Sequence, residues 1–236
     1  MKTLNQKLTF TALLLGSALL VNPVIAGQAE INEIERAAGT LNIDKLKQIN
    51  TRVTNYDLAL SQYRLALSAN LKGQTELADS ALDESMTALE TLNEQSPDNV
   101  EVKALLAQVY GYKVALSPMK GIYYGPKSGA MLAEAEALAP NNPRVLLVKG
   151  IGAINTPPMF GGSVDVALNA FNQAIEAYAS DAYSNYHWGF AEAHTWRGLV
   201  HQQKGDLDKA KADWQRALEI DPEYGWAKSV LANSQG

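Results

Sequence analysis

Helix breakers recur along this sequence at a nearly constant interval, and that interval limits the fold more than any other feature. Pro97 and Pro140 stand 43 residues apart, Pro140 and Pro222 stand 82 apart, and Asp181 falls midway between the latter two. A step of about 41 residues is long enough for two helices and a turn. Between the breakers Ala and Leu dominate, β-branched alternation is scarce, and Leu60, Tyr63 and Leu67 share one side of 57–67. Apolar residues returning every three or four positions are helical. The pattern predicts helices over 28–38, 43–52, 55–71, 75–95, 98–116, 127–139, 143–154, 163–179, 184–204, 206–219 and 223–233. One helix pair cannot bury its apolar face alone, so the pairs must stack.

The last full unit shows how such pairs would close. Gly198, Gly205, Ala210, Trp214, Ala217 and Pro222 are separated by 7, 5, 4, 3 and 5 residues. Small residues stand where two helices touch, Gly at the turn, an aromatic plug between, and Pro where the second helix must stop. With Gly-Asp-Leu-Asp-Lys-Ala at 205–210 and Ala-Leu-Glu-Ile-Asp-Pro at 217–222, this unit resembles the tetratricopeptide repeat. Gly162, Ala167, Phe171, Ala174 and Ala179 keep the 5, 4, 3, 5 spacing, and Ser128, Leu132, Ala135 and Pro140 keep 4, 3, 5. Gly73 to Pro97 spans 24 residues where Gly205 to Pro222 spans 17, so the second helix of that unit is longer by about two turns.

The resemblance covers residues 55–233 and implies an all-α fold, a right-handed α-solenoid of stacked antiparallel helix pairs. The expected organisation is a signal peptide at 1–26, a helical segment at 27–52, about four pairs at 53–222 and a capping helix at 223–236. Trp214 should be a buried plug, and Gly198 should lie close to Ala210. The resemblance also implies a non-catalytic scaffold that holds a protein or peptide on the concave face lined by the first helix of each pair.

Export is read from the start of the chain. Lys2 and Lys7 precede an uncharged run from Leu8 to Val21 and then Pro23-Val24-Ile25-Ala26, the pattern of a signal peptide cut after Ala26. The run is too short for a comfortable span of about 20 apolar residues. A periplasmic or secreted location follows as an expectation. Position 27 is Gly and the chain has no Cys, so the lipoprotein route and disulfides are both excluded. Past Ala26 there are 18 basic and 25 acidic residues, a formal charge of −7 with no basic run, which argues against a nucleic-acid partner.

Two loops depart from the repeat pattern. Residues 117–126 (Ser-Pro-Met-Lys-Gly-Ile-Tyr-Tyr-Gly-Pro) and 156–162 (Thr-Pro-Pro-Met-Phe-Gly-Gly) stand where a tight turn would suffice, in adjacent units. Met119, Tyr123, Tyr124, Met159 and Phe160 either fold back as a satellite cluster or form a partner-binding edge. Tyr183, His187 and Trp188, at the expected start of the 184–204 helix, complete the candidate site. The second loop, followed by Ser163-Val164-Asp165-Val166-Ala167, also resembles exported helical-repeat components associated with TRAP-type solute transporters. That resemblance implies an auxiliary role in small-ligand or metal handling.

The histidines, His187, His194 and His201, are seven residues apart. On one helix they would form a stripe with steps of about 10.5 Å, too wide for a single ion. Met119 and Met159 would reach a soft metal such as copper together with His187 only if both loops met the helix start; packing between helices with a hydrogen bond to a neighbour is the plainer role for His194 and His201. No G-x-S-x-G, H-E-x-x-H or phosphate-cradling Gly loop occurs, so no catalytic residue and no cofactor is expected. Asp83-Glu84 and Glu134/Glu136 read as polar helix faces. Nothing in the sequence fixes the oligomeric state, and a homo-oligomer stays open.

Overall fold

The computed structural model describes residues 27–181 and 185–234; the expected signal peptide at 1–26 and Tyr183 lie outside them. Among the described residues the chain is helical and without strands: α1 (Gln28–Gly39), α2 (Ile43–Asn50), α3 (Asn55–Leu71), α4 (Thr75–Gln95), α5 (Val100–Leu116), α6 (Gly121–Leu138), α7 (Pro143–Asn155), α8 (Val164–Ala179), α9 (Phe190–Gln203), α10 (Leu207–Ile220) and α11 (Gly225–Asn233). Short 3-10 turns at Pro118–Lys120 and Pro158–Phe160 precede α6 and α8. The closest packing is within α3/α4, α5/α6, α7/α8 and α9/α10, each pair resting on the next, with α1 and α2 against α3 and α11 against α10.

Side-chain caps start several of these helices where the sequence changes from breaker to helix former. Asn42, Asn99, Asn142, Ser163 and Asp206 each accept from a backbone N–H of the first turn. The repeat residues fall as expected. Trp214 is fully buried and its indole N–H donates to the Thr195 carbonyl at 3.2 Å. A Cβ on Gly198 would stand 2.3 Å from the Trp214 Nε1 and 3.0 Å from the Ala210 carbonyl oxygen. Gly150 repeats the device one unit earlier, its missing Cβ leaving room for the buried Phe171 ring.

Two boundaries differ from expectation. The segment 117–126 is not a ten-residue loop: one 3-10 turn leads directly into α6, with Pro126 inside the helix. Pro removes an amide that would bond four residues back, but Ile122 and Pro126 both lie on the exposed side of the helix, so the orphaned carbonyl is not left in the core. α9 begins at Phe190 rather than near 184, because Gly189 adopts a left-handed φ of 92° immediately before it. His187 and Trp188 therefore precede the helix, and the three histidines do not share one stripe.

Candidate functional site

Helices α3, α5 and α7 are buried around most of their circumference, charged residues included. Arg64 is the one charge in α3 after Asp57. Its guanidinium holds Glu35 of α1 at 2.7 and 3.0 Å and Glu192 of α9 at 2.9 Å, joining the leading helix to the first and last pairs. Arg144, fully buried at the start of α7, holds Glu101 of α5 at 2.8 and 3.0 Å and Asp181 at 2.5 and 3.3 Å. Burial raises Glu35 and Glu101 above the ordinary carboxylate range, against the pull of their arginines. Ile31 and Ile34 of α1 are fully buried, and Gly39 lies so close to Gly225 that a Cβ there would stand 2.5 Å from the Gly39 carbonyl oxygen. α1 thus crosses from α3 and α9 to the start of α11.

The segment 185–189 belongs to this closure. Trp188 is buried, donates from its indole to the Tyr56 hydroxyl at 2.9 Å and carries the Arg64 guanidinium over its ring. Tyr186 meets the Tyr56 ring edge-on at 4.9 Å. The Gln28 amide exchanges two hydrogen bonds with the His187 backbone, at 2.8 and 3.0 Å. Trp188, expected at a binding surface, is therefore a core side chain, packed with Tyr56, Tyr186 and Arg64.

The remaining candidates separate into two groups. The His187 Nδ1 is 2.9 Å from Asp181, which also binds Arg144 in the first turn of α7. Met159 follows the other end of α7, beyond Asn155. Asn155 is eleven residue steps of helix, about 16 Å, beyond Arg144, so His187 does not join Met119 and Met159 in a metal site. His194 and His201 instead turn to Asp213 of α10, at 3.1 and 3.9 Å. Burial pushes Asp213 up, but hydrogen bonds from His194 and Arg197 outweigh it and hold the carboxyl below its usual range. Among the described residues no cluster of His, Asp and Glu is arranged to hold a metal ion.

The two Pro-Met turns occupy equivalent places in adjacent units. α5 and α7 pack side by side as equivalent first helices, and each runs directly into its 3-10 turn. Met119 is 95% exposed, Ile122 90%, Met159 82%, Phe160 73% and Tyr123 58%. Tyr124 points inward, stacking on Tyr110 at 5.8 Å and fixing the start of α6, while Lys127 sits over the Tyr110 and Tyr123 rings and pairs with Glu90. Of the five loop residues Tyr124 folds back and Tyr123 meets its ring edge-on at 4.9 Å, while Met119, Met159 and Phe160 stand out. The second turn explains its own glycines: Gly161 has a φ of 95°, and a Cβ on Gly162 would fall 1.6 Å from the Thr156 carbonyl oxygen. Its geometry makes no such demand of Met159 or Phe160. Ile122, not singled out in the sequence, belongs to the same edge. Its neighbours Gly121, Gly125 and Pro126 read as loop, and only the helix shows which way it points.

Stacked helix pairs joined by buried arginines, with exposed apolar side chains at two of the turns, define a helical-repeat fold. The sequence profile of the tetratricopeptide repeat matches residues 191–224. The chain carries a tetratricopeptide repeat there and folds as tetratricopeptide-repeat proteins do. A thermophilic protein of this class from Thermus thermophilus superposes with a TM-score of 0.51 at 19% identity, over 87% of this chain and 98% of that one. The HusA haemophore of Porphyromonas gingivalis gives 0.54 at 21%, over 75% and 90%. Superkiller complex protein 3 of Mus musculus is 34% identical over 83 residues, 35% of this chain. The match spans 4% of that relative's length.

Proposed function

We propose that this chain is an exported, non-catalytic scaffold that holds a protein partner on the edge formed by Met119, Ile122, Tyr123, Met159 and Phe160. The supporting observation is the exposure of these five large apolar side chains at the equivalent turns of two adjacent units, where turn geometry does not require them. Water disfavours each of them, at about 25 cal/mol per Å² of apolar surface, and large apolar patches on soluble proteins mark contact surfaces. The surface around Arg64 is less suitable, because Glu35, Glu192, Tyr56 and Trp188 already engage one another there. Export would use residues 1–26 and leave Gly27 at the mature N-terminus, which mass spectrometry of the exported chain would read directly. The haemophore among the similar folds prompts a small-ligand reading, but the separation of His187 from Met119 and Met159 removes its metal-binding form.

The test is cross-linking in the periplasm followed by mass spectrometry, with wild type beside a variant carrying Met119→Ser, Ile122→Ser, Met159→Ser and Phe160→Ser. Wild type should yield a discrete cross-linked species that the variant lacks at unchanged helicity. An identical cross-linking pattern from both would sink the reading.

A further inference from the structure

We propose that hydrolysis of the Ala26–Gly27 bond during export sets a latch, in which the new α-ammonium of Gly27 is held by the Asp57 and Glu30 carboxylates and ties α1 to α3. This rests on the export reading and its cut after Ala26. The nitrogen concerned already stands in place. The Gly27 backbone N–H donates to the Asp57 Oδ2 at 3.0 Å, thirty positions away at the start of α3, and the Gly27 carbonyl accepts the first hydrogen bond of α1 from Ile31 at 2.9 Å. From the other side the Glu30 carboxyl folds back over Gly27, so close that a Cβ there would collide with its Oε2. As an amide, Gly27 has a single N–H to offer, and it goes to Oδ2. The Asp57 Oδ1 is buried and accepts no hydrogen bond. Burial raises the Asp57 carboxyl above its ordinary range; the Gly27 N–H pulls it down and the Glu30 charge pushes it up again.

Cleavage supplies the charge and the donors that this place can use. A signal peptidase adds one water across the bond: the C–N bond breaks, Ala26 departs as a carboxylate, and Gly27 keeps an ammonium with three N–H donors. At an ordinary helix start such a cation opposes the helix dipole. Here two carboxylates already flank it. The basic groups around α1 are committed elsewhere: Lys45 and Arg52 to Glu33, Arg64 to Glu35 and Glu192, and the His187 imidazole to Asp181. Arg36 stands at the far end, in the last turn of α1. The next residue, Gln28, is bonded to the His187 backbone. An ammonium held at Gly27 therefore fixes the first turn of α1 to α3 beside its existing tie to 185–189.

The test compares the chain beginning at Gly27 in two forms: with its α-amine free, and acetylated at Gly27 by co-expression with an N-terminal acetyltransferase, which restores an amide and removes the charge. At an ordinary helix start acetylation relieves a repulsion and stabilises. Here it should weaken the fold, raising the unfolding equilibrium constant in urea at pH 7 by about three- to tenfold. An ammonium held by carboxylates titrates above the ordinary α-amino range of about 7.7–8.0. The advantage of the free amine is therefore complete below that range, while Asp57 stays ionised, and is lost as the pH rises toward about 10. Asp57→Asn should abolish the difference between the two forms, and Glu30→Gln should reduce it. Equal stability of the two forms overturns the proposal, and so does a difference that persists in Asp57→Asn or does not change with pH. An exported chain that begins elsewhere than Gly27 would end the export reading and this inference together. A chain that begins at Gly27 and is indifferent to acetylation would end this inference alone.

Discussion

Replacing Arg144 by Met keeps most of the side chain's volume and removes its charge together with its N–H donors, which tests what the buried ion cluster contributes. In the folded chain Arg144 makes four hydrogen bonds of 2.5–3.3 Å to Glu101 and Asp181, and all three side chains are at most 5% exposed. Taking away one partner of such a cluster leaves buried negative charge uncompensated, at a cost of about 3–5 kcal/mol. For a chain of this size that lowers the melting temperature by roughly 6–20 °C. The loss should depend on pH. Glu101 is already raised by burial, and without the guanidinium it rises further. A carboxyl whose native value exceeds its unfolded one binds protons on folding, so the variant regains stability as the pH falls from 7 toward 5. Urea unfolding at pH 7 and pH 5 measures this, and adding Glu101→Gln and Asp181→Asn to Arg144→Met should restore much of the stability at pH 7. A variant within about 1 kcal/mol of wild type, or one equally damaged at both pH values, would refute the reasoning.

Trp214→Ala should cost about 3–5 kcal/mol in denaturant unfolding, since it empties a fully buried aromatic site. Gly198→Val should cost about 1–3 kcal/mol or more by pressing on the Trp214 indole, and the two changes together should cost less than their sum because they share one contact. Gly162→Ala places a Cβ against the Thr156 carbonyl and should open the second 3-10 turn, read as faster amide exchange confined to 156–166. Asp213 is held low by His194 and Arg197. The stability it lends is present above about pH 4 and is lost as the pH falls through its lowered native value, so acid unfolding curves should be flatter for Asp213→Asn than for wild type.

The sequence by itself determined the helices and their stacking. The interval between Pro97, Pro140 and Pro222 fixes the length of a unit, and the small residues around Trp214 fix how a pair closes, because both depend on contacts within some forty residues. Of the edge, Met119, Tyr123, Met159 and Phe160 were legible for the same reason: they interrupt a local pattern that has no need of them. What the sequence could not determine was direction. Gly121, Gly125 and Pro126 look like a loop, and only packing of Tyr124 on Tyr110 shows that they begin α6 and turn Ile122 outward. Trp188 and His187 read as one surface group with Met119 and Met159, yet the first is core and the second lies at the other end of α7. Arg64 and Arg144 gave no periodic signal at all, although Arg64 stands alone between Tyr63 and Leu65. Their partners are 29 to 128 residues away. Only the tertiary structure brings Glu35 of α1, Arg64 of α3 and Glu192 of α9 together, because no local pattern links residues so far apart in sequence.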